Sequence, residues 1–335
     1  MEVTDCTSLI EVHPSVGFLD KLVTLDLSQC SNLTNFPPRI CLKSLEKMIL
    51  SGCKRLENFP EIVDNMDSLW LLNIEESGVT ELPSSITYLS GLEDLIAHDC
   101  ENLTTISSSI YYLKDLLLLN CKSLEKISTL SSIFEQDQLP KLQYLDLTNS
   151  HRLCVHSSDY YPAKMENFCK IRNRTRIPFI IILPGNEIPK WFSSVLEIPS
   201  SWFIKIPRNL VLEKTGLALC VVYELTGENL FKNFFGIFDP HRYVEISING
   251  ILVQRISDIC FRTDKESTSH VWFNFRPWDI SWGQLDGGIC QVTFTIALPD
   301  KLKILSCGVN LVYDHDGDGG DDSDVDDHEP SPAVM

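Results

Sequence analysis

The chain has 335 residues, a hydrophobic fraction of 44% and a formal net charge of −18. That length admits two domains with real cores. The acidic balance argues against binding a phosphate backbone, which needs basic patches.

The first third repeats itself. The phrases LVTLDLSQCSNL at 22–33, LEKMILSGCKRL at 45–56, LEDLIAHDCENL at 92–103 and LKDLLLLNCKSL at 113–124 share the pattern L-x-x-L-x-L-x-x-C-x-x-L. Two further copies start at Leu69 and Leu142 and place Ser77 and Ser150 in the cysteine slot. The opening leucines lie 23, 24, 23, 21 and 29 residues apart, and the longest gap holds an insert around 134–137. This is the spacing and pattern of a leucine-rich repeat. A partial phrase at 3–9 carries Cys6 but lacks the strand.

Within each phrase, alternation predicts a short strand with leucines turned inward. Each buried leucine contributes roughly 1.5–3 kcal/mol. No coil can bury its apolar face alone, so the coils must stack. The slot held by Cys30, Cys53, Cys100 and Cys121 suits a small, buried, weakly polar group. Because Met1 opens on a fragment of a repeat with no polar cap ahead of it, the chain is expected to be a piece of something longer or a truncated form, poorly soluble by itself.

The strand pattern sets aside the residues expected to face outward. They are Thr24, Asp26 and Ser28; Lys47, Ile49 and Ser51; Leu71, Asn73 and Glu75; Asp94, Ile96 and His98; Asp115, Leu117 and Leu119; and Tyr144, Asp146 and Thr148. The column Asp26, Ile49, Asn73, Ile96, Leu117, Asp146 is apolar in its middle, and apolar side chains facing water invite a partner or another domain. Lys47, Asp94, His98 and Tyr144 flank it as contact candidates. Asp94 and His98 on neighbouring outward positions also form a conceivable acid–base pair. A solvated surface pair is the favoured reading, since catalytic groups need a shaped, partly buried site.

Repeat character fades near Leu153, and the basic stretch KIRNRTR at 170–176 reads as a connecting loop. Short β-branched and aromatic segments follow at 179–183, 202–206, 217–223, 243–248, 270–275, 291–298 and 303–313, separated by Gly, Pro, Asn and Asp. They predict an all-β sandwich. Two long loops, 226–243 and 276–288, carry Phe234, Phe235, Arg276, Trp278 and Trp282. Aromatics and arginine are the usual binding anchors, and the same aromatics also serve to plug the ends of a sandwich. The Pro184-Gly185-Asn186 run is turn chemistry.

The acidic tail 314–335 holds nine carboxylates and no Lys or Arg. Asp314, Asp316, Asp318 and Gly319 match the start of a calcium loop, but Val325 stands where a bidentate glutamate is required. A disordered solubilising tail is the expectation.

The first twenty residues lack the basic start and apolar stretch expected of a signal peptide. The apolar run 177–184 is too short to span a bilayer. No C-x-x-C zinc pair occurs among the twelve cysteines. An intracellular, reduced setting is expected, with the Asn32, Asn102 and Asn173 sequons as chance matches.

The stretch ILPGNEIPKWF at 182–192, with GLALCVVY at 216–223, HVWFNF at 270–275, KILSCGVNLVYD at 303–314 and the repeat turn TELPSSI at 80–86, resembles the C-terminal part of plant Toll/interleukin-1-receptor-type nucleotide-binding leucine-rich-repeat receptors. In that family the repeats are followed by a C-terminal jelly-roll/Ig-like domain.

The resemblance implies an α/β repeat solenoid at 1–155, a connector at 156–178, the jelly-roll/Ig-like β-sandwich at 179–313 and the tail. It also implies a non-catalytic, cofactor-free and metal-free module that recognises a pathogen effector protein through the repeat face and sandwich loops. The other expected partners are further domains or copies of the receptor, with no nucleic acid or membrane. The expected compartment is cytoplasmic, extending to the nucleus. The family's nucleotide switch and NAD-cleaving domain find no counterpart here, and no G-x-x-x-x-G-K-[ST] phosphate loop occurs. The rivals are a decoy that hetero-associates with full-length receptors and, from another class, a hydrolase using the sandwich loops.

Overall fold

The computed structural model describes residues 1–106, 113–127, 141–154, 161–192, 194–196, 201–205, 214–225, 243–256, 268–279, 289–297 and 302–313. The fold is mostly β, with a stacked coil in its N-terminal part.

Each leucine phrase gives a three-residue strand: β1 Thr24–Asp26, β3 Lys47–Ile49, β5 Leu71–Asn73, β7 Asp94–Ile96, β9 Asp115–Leu117 and β11 Tyr144–Asp146. They pair in parallel and in register. Leu25, Met48, Leu72, Leu95, Leu116 and Leu145 stack as one fully buried row. Chain return is made by two-residue strands, β2 Arg39–Ile40, β4 Glu61–Ile62, β6 Glu81–Leu82, β8 Thr105–Ile106 and β10 Lys126–Ile127, and by 3-10 turns at Pro14–Phe18 and Ser84–Tyr88.

An α/β solenoid was the expectation, and the described return segments correct it. None of them is α-helical. Coils of 23–24 residues leave little length for a helix, and Pro37, Pro38, Pro60 and Pro83 deny it backbone donors.

The cysteine slot works as a hydrogen-bond peg. Cys53, Cys100 and Cys121 donate their thiols to the carbonyls of Leu27, Ile74 and Ala97 in the coil before, at 3.3, 3.0 and 3.0 Å. Ser150 does the same to Leu118 at 2.7 Å. Burial pushes the Cys53 and Cys100 thiols up to about 12 and about 11, so both stay protonated and able to donate. In the first coil, Cys30 donates to Val3 at 3.1 Å, while Cys6 is exposed.

One residue ahead of every slot the backbone turns left-handed: Asp5, Gln29, Gly52, Glu76, Asp99, Asn120 and Asn149 all have φ between 51° and 74°. Each of the first six donates its N–H to the next coil, on Ser28, Ser51, Glu75, His98, Leu119 and Thr148, at 2.7–2.8 Å. The partial first phrase also does more than expected. Glu2 bridges Asp26 in parallel, and Val3 donates to Asp26 at 2.8 Å.

The solenoid sheet does not stop at the last repeat. Strand β12 (Phe179–Pro184) pairs in parallel with β11 and antiparallel with β18 (Thr268–Pro277). Beyond it follow β15 (Thr215–Leu225), β20 (Leu302–Tyr313) and β13 (Ser194–Leu196), completing eleven strands in the order β1-β3-β5-β7-β9-β11-β12-β18-β15-β20-β13. A separate antiparallel sheet runs β14 (Ser201–Lys205), β19 (Ile289–Ala297), β16 (Tyr243–Ile248) and β17 (Ile251–Ile256). The leucine core runs without a break into Phe168, Phe179, Phe273 and Phe275.

The expected loop at 170–176 is the end of a helix, Tyr161–Thr175, with Arg176 closing it at φ 58°. Met165, Phe168, Cys169 and Arg172 are buried along it, the spacing of one helical face. Arg172 is fully buried. It donates Nη2 to the Leu142 carbonyl and holds its guanidinium 4.9 Å from the Phe168 ring and 6.0 Å from that of Phe179. Burial lowers it to about 10.

Candidate functional site

The outward column is real. Register pairs Asp26 with Ile49, then Asn73, Ile96, Leu117, Asp146 and finally Ile182. Its polar and apolar members differ in what they do. Asp26 Oδ1 accepts from the Ser28 N–H at 2.9 Å and from its hydroxyl. Asn73 Oδ1 accepts from the Glu75 N–H at 2.9 Å. Asp146 Oδ1 accepts from the Thr148 N–H at 2.9 Å and its hydroxyl at 2.6 Å. These side chains shape the turn that leaves the strand. Ile49, Ile96 and Leu117 are half-buried, and an aliphatic side chain has no means of shaping that turn.

Exposure along the face is uneven. Lys47, Asp94, Asp115 and Tyr144 are half-buried like the aliphatic trio, and Lys47 lies over the Trp70 ring at 5.0 Å. Asn73, His98 and Asp146 are buried, where alternation alone expected them open. From β11 onward the face is covered: Thr148, Ile182 and Trp272 are all 2% exposed or less. Burial raises the Asp146 carboxyl to about 6, opposed by its two Thr148 hydrogen bonds.

Asp94 and His98 are separated along the strand by Ile96. Strand β7 ends at Ile96 and His98 lies in the turn beyond it, while Asp94 Oδ1 has no hydrogen-bond partner, so the two do not form an acid–base pair. Trp278 is buried, donating its backbone N–H to the Thr215 carbonyl at 2.8 Å and receiving the Arg176 guanidinium on its own carbonyl. Arg276 is half-buried, and burial lowers it. Phe234, Phe235, Trp282, the insert at 134–137 and the calcium-like tail lie outside the described residues.

Of the ILPGNEIPKWF stretch, Phe192 is buried and Trp191 and Ile188 pack on the core, with Phe192 edge-on to Phe273 at 5.8 Å. Among the described residues, Glu75, Glu76 and Asp99 bring carboxylate oxygens within 4.8 Å of one another. Lys54 already pairs with Glu76 at 3.2 Å, and Asn120 Nδ2 donates to Asp99 at 2.7 Å. Among the described residues no helix is long and apolar enough to cross a membrane.

One contact was illegible in the sequence. The N–H of Asn149, the last of the left-handed residues that precede a slot, has no further coil to bond and donates to His270 Nε2 on β18 at 3.1 Å. Both residues are buried, and the imidazole stacks against Tyr223 at 5.5 Å. The partner lies 121 positions away, so no periodicity betrays it.

The C-JID domain model matches residues 183–318. Disease resistance protein RPS6 of Arabidopsis thaliana is 28% identical over 92% of this chain and 27% of its own length. Protein SUPPRESSOR OF npr1-1, CONSTITUTIVE 1 of the same plant is 27% identical over 92% of this chain and 22% of its own length. TMV resistance protein N of Nicotiana glutinosa is 37% identical over 31% of this chain and 9% of its own length. The chain thus spans about a quarter or less of the relatives it matches. A leucine-repeat coil running into a C-JID domain, aligned along nearly its whole length with such relatives, is similar to the C-terminal region of TIR-type plant disease resistance proteins.

Proposed function

We propose that this chain is a recognition module of an intracellular plant immune receptor, binding a pathogen effector protein on the open face of its repeats without transforming it. The observation that carries the reading is the trio Ile49, Ile96 and Leu117. These side chains stand half-buried on a paired sheet face, shape no turn as their polar neighbours do, and lie where the face is still open. Aliphatic surface left partly open and held in register is a candidate contact surface. The family resemblance supports effector as the partner class and a cytoplasmic or nuclear site of action. The two antiparallel arrays after β11, with β15 buried on both faces and Trp272, Phe273, Asn274 and Phe275 of β18 buried beside it, support a sandwich as the architecture of the second half. The domain limits that go with it are repeats at 1–155, a connector at 156–178 and the sandwich at 179–313.

The test is pairwise binding of the purified chain to a panel of purified effectors by calorimetry. At least one effector is expected to bind, with binding reduced at least tenfold by Leu117→Asp at unchanged melting temperature. Absence of any effector binding, together with co-purification of a full-length receptor without effector, contradicts the reading and favours a hetero-associating regulator.

A further inference from the structure

The ladder of cysteine slots has one open end. Asp5 donates its N–H to Ser28 at 2.8 Å, as Gln29 does to Ser51 one coil later at 2.7 Å, and Glu2 bridges Asp26 in parallel. Cys6 therefore stacks on Cys30 in the register by which Cys30 stacks on Cys53. Adjacent strands lie about 4.8 Å apart, inside the roughly 4.4–6.8 Å that a disulfide asks of its two Cα atoms. The same spacing recurs down the ladder, at Cys30–Cys53 and Cys100–Cys121.

Access separates the first pair from the others. Among the described residues Cys6 is the one exposed cysteine, Cys41 is half-buried, and Cys30, Cys53, Cys100 and Cys121 are closed to solvent. The four closed thiols are each pegged on a carbonyl of the coil before, Cys30 on that of Val3 at 3.1 Å. Exposure governs which thiol a reagent meets, so Cys6 reacts first. Burial raises the Cys30 thiol, opposed by the Cys6 backbone N–H beside it, so Cys30 keeps its proton until a neighbouring sulfur is activated. Five of the nine exposed large apolar side chains among the described residues, Met1, Ile10, Phe18, Leu19 and Val23, belong to this end of the coil, so a covalent link there fastens the barest part of the molecule.

We propose that Cys6 and Cys30 form a peroxide-driven disulfide clasp that ties the partial first phrase to the first full coil. The Cys6 thiolate attacks one peroxide oxygen, the O–O bond breaks, and the departing hydroxide takes up the thiol proton as water, leaving Cys6 as a sulfenic acid. The Cys30 sulfur then attacks the Cys6 sulfur, the S–O bond breaks, and the hydroxyl leaves as water with the Cys30 proton. Two thiols are oxidised and one peroxide is reduced to two waters. The proton that leaves is the one Cys30 holds on the Val3 carbonyl, so a covalent bond replaces a hydrogen bond between the same two segments.

The test treats the full chain with hydrogen peroxide and maps cysteine links by mass spectrometry without reduction. A Cys6–Cys30 link is expected, at least tenfold more abundant than Cys30–Cys53 or Cys100–Cys121 and reversed by dithiothreitol. Cys30→Ser is expected to strand Cys6 as the sulfenic acid and to raise its dimedone adduct at least threefold. Serine fills the slot natively at Ser77 and Ser150, so that variant keeps the coil. Peroxide is expected to slow amide exchange across residues 2–9 at least tenfold in the parent and to leave it unchanged in Cys6→Ser.

Cys6 driven on to the sulfinic acid while Cys30 stays a free thiol, a link from Cys6 to Cys41 or to a second chain in its place, or an equal yield of the buried pairs overturns the proposal. So does a Cys6–Cys30 link that leaves exchange across residues 2–9 unchanged.

Discussion

At the scale of single residues, position in the repeat decides what a side chain is for. The cysteine slot asks for a small group able to donate to the coil before it, which is why Ser150 substitutes without altering the pattern. The residue before it asks for a left-handed backbone, and five of its seven occupants are Asp, Asn or Gly, the types that tolerate that region. That second signal is present in the phrases too, but it is carried by one residue per coil against four for the leucine pattern.

Asp146 shows the opposite failure. Alternation places it outward correctly, yet it is buried, because strands remote in sequence extend the sheet past it. Its folded-state value of about 6 lies above the ordinary carboxylate value near 3.9. Stability from its neutral form is therefore complete below about pH 4 and lost as pH rises through about 6. Asp146→Asn keeps the Oδ1 acceptor, as Asn73 does naturally. It is expected to stabilise the chain by roughly 1–3 kcal/mol at pH 8 and by close to nothing at pH 3.5. Denaturant melts at the two pH values check this, and an equal effect at both contradicts it.

At the scale of elements, the strands were legible and their connections were not. Leucine spacing located all six sheet strands of the coils, since period-two burial leaves a pattern in any sequence. The return segments carry no comparable pattern, so their 3-10 turns and two-residue strands came only with the structure. The helix Tyr161–Thr175 was hidden because Lys170, Arg172 and Arg174 look solvated, whereas Arg172 is one of its buried faces.

Coil stacking also imposes close backbone approaches. A Cβ added at Gly91 would lie 1.9 Å from the Asp67 carbonyl oxygen of the preceding coil. Gly91→Ala is expected to destabilise the chain by about 2–3 kcal/mol through forced separation of the coils, read from the denaturation midpoint. A change below about 0.5 kcal/mol, the usual range for an innocuous surface substitution, contradicts that packing.

At the scale of the whole molecule, repeats and C-JID domain share a sheet, a core and a hydrogen-bond ladder. Strand β12 offers β11 the edge that another coil would offer, His270 receives the last left-handed N–H, Arg172 takes the Leu142 carbonyl, and Arg176 bonds the carbonyls of Thr215 and Trp278. A solenoid by itself melts as loosely coupled units, whereas a shared core makes the parts unfold together. The open face then ends against strands that continue the same sheet and share its core.

Hydrogen exchange read by mass spectrometry across a urea series tests this continuity directly. The account predicts that β7, β9, β11, β12, β15 and β18 lose protection at one common midpoint. It also predicts that His270→Ala lowers that midpoint on both sides of the β11–β12 seam. Separate midpoints for β7–β11 and β12–β18 in the parent chain, or a His270→Ala effect confined to β18, would contradict it.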